Sequence, residues 1–206
     1  MVKKIIMGQV PSIFSINCYV IDKNGSCIVI DPSSGVEKVS EYIEFNGFNL
    51  VAVFLTHGHF DHCGGAQKLA DQYGCKIYAN PKDEPWTSTA HENNWNYPAE
   101  SCVIDKFFHD GALQIEDFEF QIIETPGHSE GSVCIVWENN LFTGDTLFCN
   151  SIGRTDFFDG SDEKICQSLK KLAKLETDYV VYPGHGESTT LAKEKKLNPF
   201  LIKYVN

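Results

Sequence analysis

Short apolar runs closed by Gly, Asn, Asp or Pro recur along the chain, with stretches of helical spacing between them. Runs of this kind, rich in Val, Ile and Phe and bounded by turn residues, read as strands. Segments 3–8, 17–21 and 26–30 are the first three, and Asp22-Lys23-Asn24-Gly25 supplies a hairpin turn between the second and third. After the breaker Asp31-Pro32-Ser33-Ser34-Gly35, the apolar positions Val36, Val39, Tyr42, Ile43 and Phe45 fit one face of a helix. A buried strand over 51–55 follows, then a helix over 64–73 stopped by Gly74, then a strand over 76–79. A strand, helix and strand of this size imply local parallel pairing in a buried sheet.

The second half repeats the logic, with strands over 113–115, 118–123, 132–137 and 140–142 and an Asn139-Asn140 hairpin turn. A helix over 162–175, a strand over 178–182 and a helix over 189–197, stopped at Asn198-Pro199, complete the chain. Between the halves, 81–101 is rich in Asn and aromatic residues, and Asp83-Glu84-Pro85-Trp86 opens a short helix. This segment reads as a lid-like insertion with Trp86, Trp95 and Tyr97 as substrate walls, or equally as a cap on the core. The pattern as a whole is that of a mixed α/β protein, 1–206 forming one domain of two sheets between helical layers.

With 206 residues and 42% hydrophobic content, the chain can bury a sizeable core. Its formal charge of -11 disfavours nucleic acid and anionic membranes as partners, and Lys193-Glu194-Lys195-Lys196 reads as the solvated face of a helix. The 8 cysteines form no CxxC pair and several lie in apolar runs, which fits reduced, buried thiols rather than a disulfide framework. The N-terminus lacks the apolar region of a signal peptide and no run approaches a membrane span, so the expected compartment is cytoplasmic. Oligomeric state is not legible.

The most concentrated chemistry is Thr56-His57-Gly58-His59-Phe60-Asp61-His62, at the end of the strand over 51–55. Core packing has no use for three imidazoles and a carboxylate there, whereas ions such as Zn²⁺ accept this donor set. In an extended segment His57, His59 and Asp61 point one way and His62 another, so one loop can serve two ions. Three further loops have the same form: His128 in Thr125-Pro126-Gly127-His128, Asp145 in Thr143-Gly144-Asp145-Thr146, and His185 in Pro183-Gly184-His185-Gly186. Each follows a strand and adjoins a glycine, which permits tight turns and close backbone approach. His91 and His109 lie outside such turns and are not counted as ligands. Cys63, beside His62, is read as packing at a helix start.

These seven residues fill the HxHxDH, His, Asp, His pattern of the metallo-β-lactamase superfamily, and the chain resembles that family from about residue 10 to 201. The resemblance implies a four-layer αβ/βα sandwich with the site on one edge of two mixed sheets. It also implies one ion on His57, His59 and His128, a second on Asp61, His62 and His185, and Asp145 bridging the two. The segments Ser151-Ile152-Gly153-Arg154-Thr155-Asp156, Pro183-Gly184-His185-Gly186-Glu187-Ser188-Thr189-Thr190 and Asn198-Pro199-Phe200 are most similar to short hydroxyacylglutathione hydrolases of the glyoxalase II type. The short form is expected to lack the C-terminal helical domain that grips glutathione in longer relatives.

The implied activity is thioester hydrolysis, S-D-lactoylglutathione to D-lactate and glutathione, by a hydroxide bridging two divalent ions. Zinc is the expected metal, with iron or manganese as alternatives. Asp61 and Asp145 are the catalytic candidates. Thr56, Asp31 and Asp156 are candidates for hydrogen bonds to ligand imidazoles. Arg154 is a candidate for a substrate carboxylate or for a structural pair with Asp156 or Asp159. Two alternatives stand beside hydrolysis of a thioester: persulfide oxidation at one iron held by His57, His128 and Asp145, and hydrolysis of another small ester or lactone.

Overall fold

The computed structural model describes residues 1–7 and 15–205; Gly8, the last residue of the first expected strand, lies outside them. Two mixed six-stranded sheets flanked by helices make up the described residues, which is the expected α/β architecture. The chain divides into two compact units, Met1–Phe108 with Ile115–Phe118, and His109–Gln114 with Glu119–Asn206.

In the first unit, β1 (Val2–Met7), β2 (Ile16–Lys23), β3 (Ser26–Ile30), β4 (Asn49–Phe54), β5 (Lys76–Ala79) and β6 (Lys106–Phe107) pair in chain order. The first three strands are antiparallel, and β3 to β6 are parallel. Helix α1 (Glu37–Asn46) joins β3 to β4, a later helix, α3 (Ala66–Tyr73), joins β4 to β5, and the short α4 (Glu84–Ser88) follows β5. Val39 and Ile43 of α1 and Leu69 and Ala70 of α3 pack with Val20, Val29, Val53 and Ile77 of the sheet. The helical spacing overreaches at one position: Phe45 is 90% exposed.

The helix expected over 64–73 is α3, which begins after Gly64-Gly65 and ends at Gly74, and a separate helical turn, α2 (Phe60–Cys63), precedes it inside the His-rich loop. A side chain on Gly65 would strike the Ser33 and Pro32 carbonyls, and Gly65 N–H donates to Pro32 O at 2.9 Å. This close approach bends the chain between α2 and α3. As a result Asp61 and His62 sit on a helical turn, so the simple alternation expected of an extended segment does not apply.

The second sheet has the order β12-β11-β10-β9-β8-β7. Its strands are β7 (Gly111–Ile115), β8 (Phe118–Glu124), β9 (Val133–Trp137), β10 (Asn140–Gly144), β11 (Val180–Pro183) and β12 (Thr189–Thr190). Strand β9 is antiparallel to both β8 and β10, and β11 is parallel to β10. The hairpin turn before β10 falls one residue earlier than expected, with Glu138 at φ 52°. Helix α5 (Asp162–Ala173) packs Leu169 and Leu172 with Cys134, Leu141 and Val181. Its start is capped by Ser161, whose hydroxyl accepts from Lys164 N–H at 3.3 Å, and acidic and basic residues in its first and last turns complement the helix dipole. The last helix, α6 (Leu191–Leu197), is shorter than expected because 189–190 pair as β12 and Thr190 caps the helix.

Candidate metal centre

Strand direction delivers the donors of each unit to one sheet edge. In the first unit β3, β4 and β5 are parallel, so the segments after their C-terminal ends are neighbours, the usual place for sites in such sheets. Those segments carry Asp31, Thr56 to His62, and Asp83. Asp31 N–H donates to Phe54 O at 2.9 Å, and Asp31 takes φ 53°, a left-handed conformation that Asp tolerates better than most residues.

Asp31 is 1% exposed and organises two imidazoles. Its Oδ1 accepts from Thr56 N–H at 2.7 Å, and its Oδ2 accepts from the Thr56 hydroxyl at 2.6 Å and from His62 Nδ1 at 3.0 Å. The hydroxyl has one proton, spent on Asp31, so Thr56 Oγ1 accepts from His57 Nδ1 at 3.2 Å. A neutral ring with its proton on Nδ1 presents a lone pair at Nε2, the form a metal requires. The rings stand close, with centroids of His57 at 4.0 Å from His62 and 4.7 Å from His59.

Asp83 and Trp86, which the sequence placed in a lid, brace this loop. Asp83 is fully buried and its Oδ2 accepts from Gly58 N–H at 2.8 Å. A Cβ on Gly58 would lie 2.7 Å from Asp83 O, so only glycine permits the contact. Trp86 stands edge-on to His59 at 4.4 Å. Tyr97 is buried, with its hydroxyl 2.6 Å from Ser33 Oγ and its ring 5.4 Å from Phe60, while Trp95 is 54% exposed. Segment 81–101 is thus fastened to its own unit, and Glu100 N–H donates to Gly64 O and Cys102 N–H to Thr87 O. Nothing in the sequence marked Asp83 as a partner of Gly58; the parallel order of β4 and β5 is what joins them.

Cys63 is buried, its Sγ donates to Gly58 O at 3.3 Å, and a hydrogen bond with Cys102 followed by burial raises its pKa. His91 is exposed and pairs with Ser101 Oγ at 2.6 Å.

In the second unit β8, β10 and β11 run in one direction, because β9 is antiparallel to both of its neighbours. Their ends lead into His128, Asp145 and His185. Gly184 N–H donates to Gly144 O at 2.9 Å, which holds the last two loops side by side. Nε2 of His128 and Nε2 of His185 each lie 3.5 Å from Asp145 Oδ2. His128 Nδ1 donates to the Arg154 carbonyl at 2.7 Å, so a neutral ring turns its Nε2 lone pair towards the carboxylate. Two electron-rich atoms facing each other at this distance are stabilised by a cation they share.

The Arg154 side chain is engaged by Asp156, with Nε and Nη2 donating to the carboxylate at 2.5 and 2.6 Å, and its guanidinium lies 4.7 Å from the Phe157 ring centroid. That pair holds the Asp156 carboxyl below the ordinary carboxylate range. Phe157 in turn meets His128 edge-on at 5.4 Å. Gly153 lies so close to Asp145 that a Cβ would overlap the Asp145 carbonyl and stand 3.0 Å from His128 Nδ1.

Among the described residues, those that could serve as metal ligands are His57, His59, Asp61 and His62 in the first unit and His128, Asp145 and His185 in the second. The donor set is suited to a pair of ions: imidazoles in the ligating tautomer and a carboxylate common to neighbours. Which metal it selects is not fixed by such donors.

Comparison with known proteins agrees with this chemistry. The hydroxyacylglutathione hydrolase GloC of Haemophilus influenzae is 35% identical over 91% of this chain and 93% of its own length. A B3 metallo-β-lactamase, BLEG-1, superposes with a TM-score of 0.90 at 31% identity, covering 98% of this chain and 99% of its own. A protein solved in a di-iron-bound form superposes at 0.86 with 30% identity, covering 97% of this chain and 100% of its own. The model of the metallo-beta-lactamase superfamily matches residues 12–185. On that match, on these relatives and on the donors that the strand ends gather, the chain belongs to the metallo-β-lactamase superfamily.

Proposed function

We propose that this protein is a thioester hydrolase of the hydroxyacylglutathione hydrolase kind, working with two divalent metal ions. The carrying observation is the donor set, in which two imidazole nitrogens, His128 Nε2 and His185 Nε2, each lie 3.5 Å from one carboxylate oxygen of Asp145. In this reading His57, His59 and His128 hold one ion, Asp61, His62 and His185 hold the other, and Asp145 serves both. Ions so held supply Lewis acidity, which lowers the pKa of water towards neutrality and polarises a carbonyl.

The chain's own residues do the rest. Asp31 keeps the Nδ1 protons of His62 and, through Thr56, of His57, so both rings present Nε2. Asp83 fixes the backbone between His57 and His59. Trp86 walls the His59 side with an apolar surface. A thiolate leaves readily because its conjugate thiol has a pKa of about 8.5, so no strong protein acid is needed to protonate it. Asp61 orients the attacking water. Arg154, already paired with Asp156, acts on the loop and not on substrate.

The likeness to the Haemophilus influenzae hydrolase supports the substrate class, S-D-lactoylglutathione or a related small acyl thioester. A second reading, iron-dependent oxidation of a persulfide, is favoured by the relative solved with two irons only as regards the metal. One experiment separates them. Protein of defined metal content is assayed side by side for thiol release from S-D-lactoylglutathione and for oxygen uptake with glutathione persulfide. Thiol release without oxygen uptake supports the proposal; persulfide-dependent oxygen consumption by iron-loaded protein refutes it. Activity on neither, with both ions bound, redirects the search to lactones and other esters.

A further inference from the structure

We infer that Glu194 and Asn198 are positioning residues for His128, Asp145 and His185, and that they set how tightly this set binds metal. The inference rests on the metal reading given above and adds to it two residues distant from the donors in sequence.

Both side chains are fully buried. A buried carboxylate on a short, lysine-rich helix is costly unless donors surround it. Glu194 has them. Its Oε1 accepts from the Thr189 hydroxyl at 2.7 Å, and its Oε2 accepts from Asn150 N–H at 2.8 Å and from Asn198 Nδ2 at 2.9 Å. Asn198 Nδ2 also donates to Ser151 O at 3.0 Å and Phe148 O at 3.3 Å. Two side chains one turn apart, on α6 and at its C-terminal cap, therefore grip the turn 148–151 and the segment after His185.

That turn is a tight one. Phe148 N–H donates to Ser151 O at 2.9 Å, Ser151 N–H returns to Phe148 O at 3.3 Å, and Asn150 takes φ 58°. From it the consequences reach every donor of the second unit. The Phe148 ring stands edge-on to His185 at 6.0 Å. Two residues past the turn, Gly153 is pressed against the Asp145 carbonyl. The next residue, Arg154, offers the carbonyl that fixes the His128 ring. Thr189, tied by the other carboxylate oxygen, lies four residues after His185. One buried carboxylate thus holds both the loop that follows Asp145 and the loop that carries His185, and releasing it lets both move.

The test is zinc affinity, measured by competition with a chromophoric chelator, together with amide exchange at Asn150. Glu194→Ala and Asn198→Ala are expected to weaken zinc binding by about tenfold or more, the range seen when a ligand's supporting partner is removed. Both should speed exchange of the Asn150 amide. Glu194→Gln should restore both readouts towards wild type. Its amide oxygen accepts from Asn150 and Asn198, and its NH₂ donates to a Thr189 hydroxyl that rotates to receive it. Leu172→Ala, a core deletion in the same unit, should lower Tm without a comparable change in affinity. Should Glu194→Ala fail to fold, Asn198→Ala carries the same expectation.

Wild-type zinc affinity in folded Glu194→Ala or Asn198→Ala overturns the inference, as does a loss in Leu172→Ala as large as theirs. A wild-type protein that binds neither zinc, iron nor manganese overturns the metal reading itself, which is a different result.

Discussion

Asp31 offers the sharpest test of how the first unit prepares its imidazoles. Consider Asp31→Asn. The amide oxygen can still accept from Thr56 N–H, but an NH₂ replaces the oxygen that received the Thr56 hydroxyl and His62 Nδ1. The metal-free protein adapts. His62 moves its proton to Nε2 and accepts at Nδ1, while Thr56 accepts from the introduced amide and donates to His57, whose proton also moves to Nε2. Every hydrogen bond is remade, and the left-handed φ of 53° suits an asparagine side chain, so metal-free stability should fall by only about 1 kcal/mol. Metal binding cannot adapt in this way, because both lone pairs have been turned into N–H groups. Loss of a supporting partner typically costs 10–100-fold in affinity, so two rings together should cost on the order of 10²- to 10⁴-fold, about 3–5.5 kcal/mol.

Asp31→Ala should show the opposite balance. It strands three buried donors and places a Cβ-bearing residue without a polar side chain at positive φ, for a loss of about 3–5 kcal/mol in the metal-free protein. Urea denaturation of metal-free protein and chelator competition measure the two quantities separately. Equal destabilisation by the two substitutions, or unchanged zinc affinity in a folded Asp31→Asn, would refute the tautomer argument.

Three further outcomes follow from the geometry. Asp145→Ala should cut thioester turnover by several orders of magnitude and reduce the metal bound per chain, checked by elemental analysis; near-wild-type hydrolysis by a fully loaded variant would contradict the role given to Asp145. Gly153→Ala forces a methyl into the Asp145 carbonyl and should cost about 1–3 kcal/mol with weakened metal binding, read by thermal melting and chelator competition. Arg154→Ala breaks an exposed pair with Asp156 and a ring contact with Phe157, so stability should change little and KM for a thioester should stay close to wild type; a large rise in KM would show that the guanidinium leaves Asp156 to bind substrate.

Sequence alone determined the elements and the donor types. Alternation, turn residues and glycine stops locate β3, β5 and α1 to within a residue, since these depend on local propensity and on which faces must be buried. Of the seven candidate donors, His57, His59, Asp61 and His62 stood out as a dense run of His and Asp after an apolar strand, and His128, Asp145 and His185 as single residues beside glycine in loops after strands. Tertiary structure decided what those residues meet. The break between α2 and α3 arises from the approach of Gly65 to the Pro32 and Ser33 carbonyls, a contact between segments far apart in the chain. The Asp83 bond to Gly58 exists because β4 and β5 are parallel neighbours, and strand order cannot be read from periodicity. Sequence offered Arg154 as a substrate or structural residue, and only the position of Asp156 shows where its guanidinium rests. Glu194 lies in a lysine-rich run that reads as a solvated helix face, yet it is fully buried, because Asn150, Thr189 and Asn198 bring it donors from beyond that run. Hydrophobicity fixes where a chain turns inward; which polar groups can follow it inside is set by partners that only the folded chain supplies.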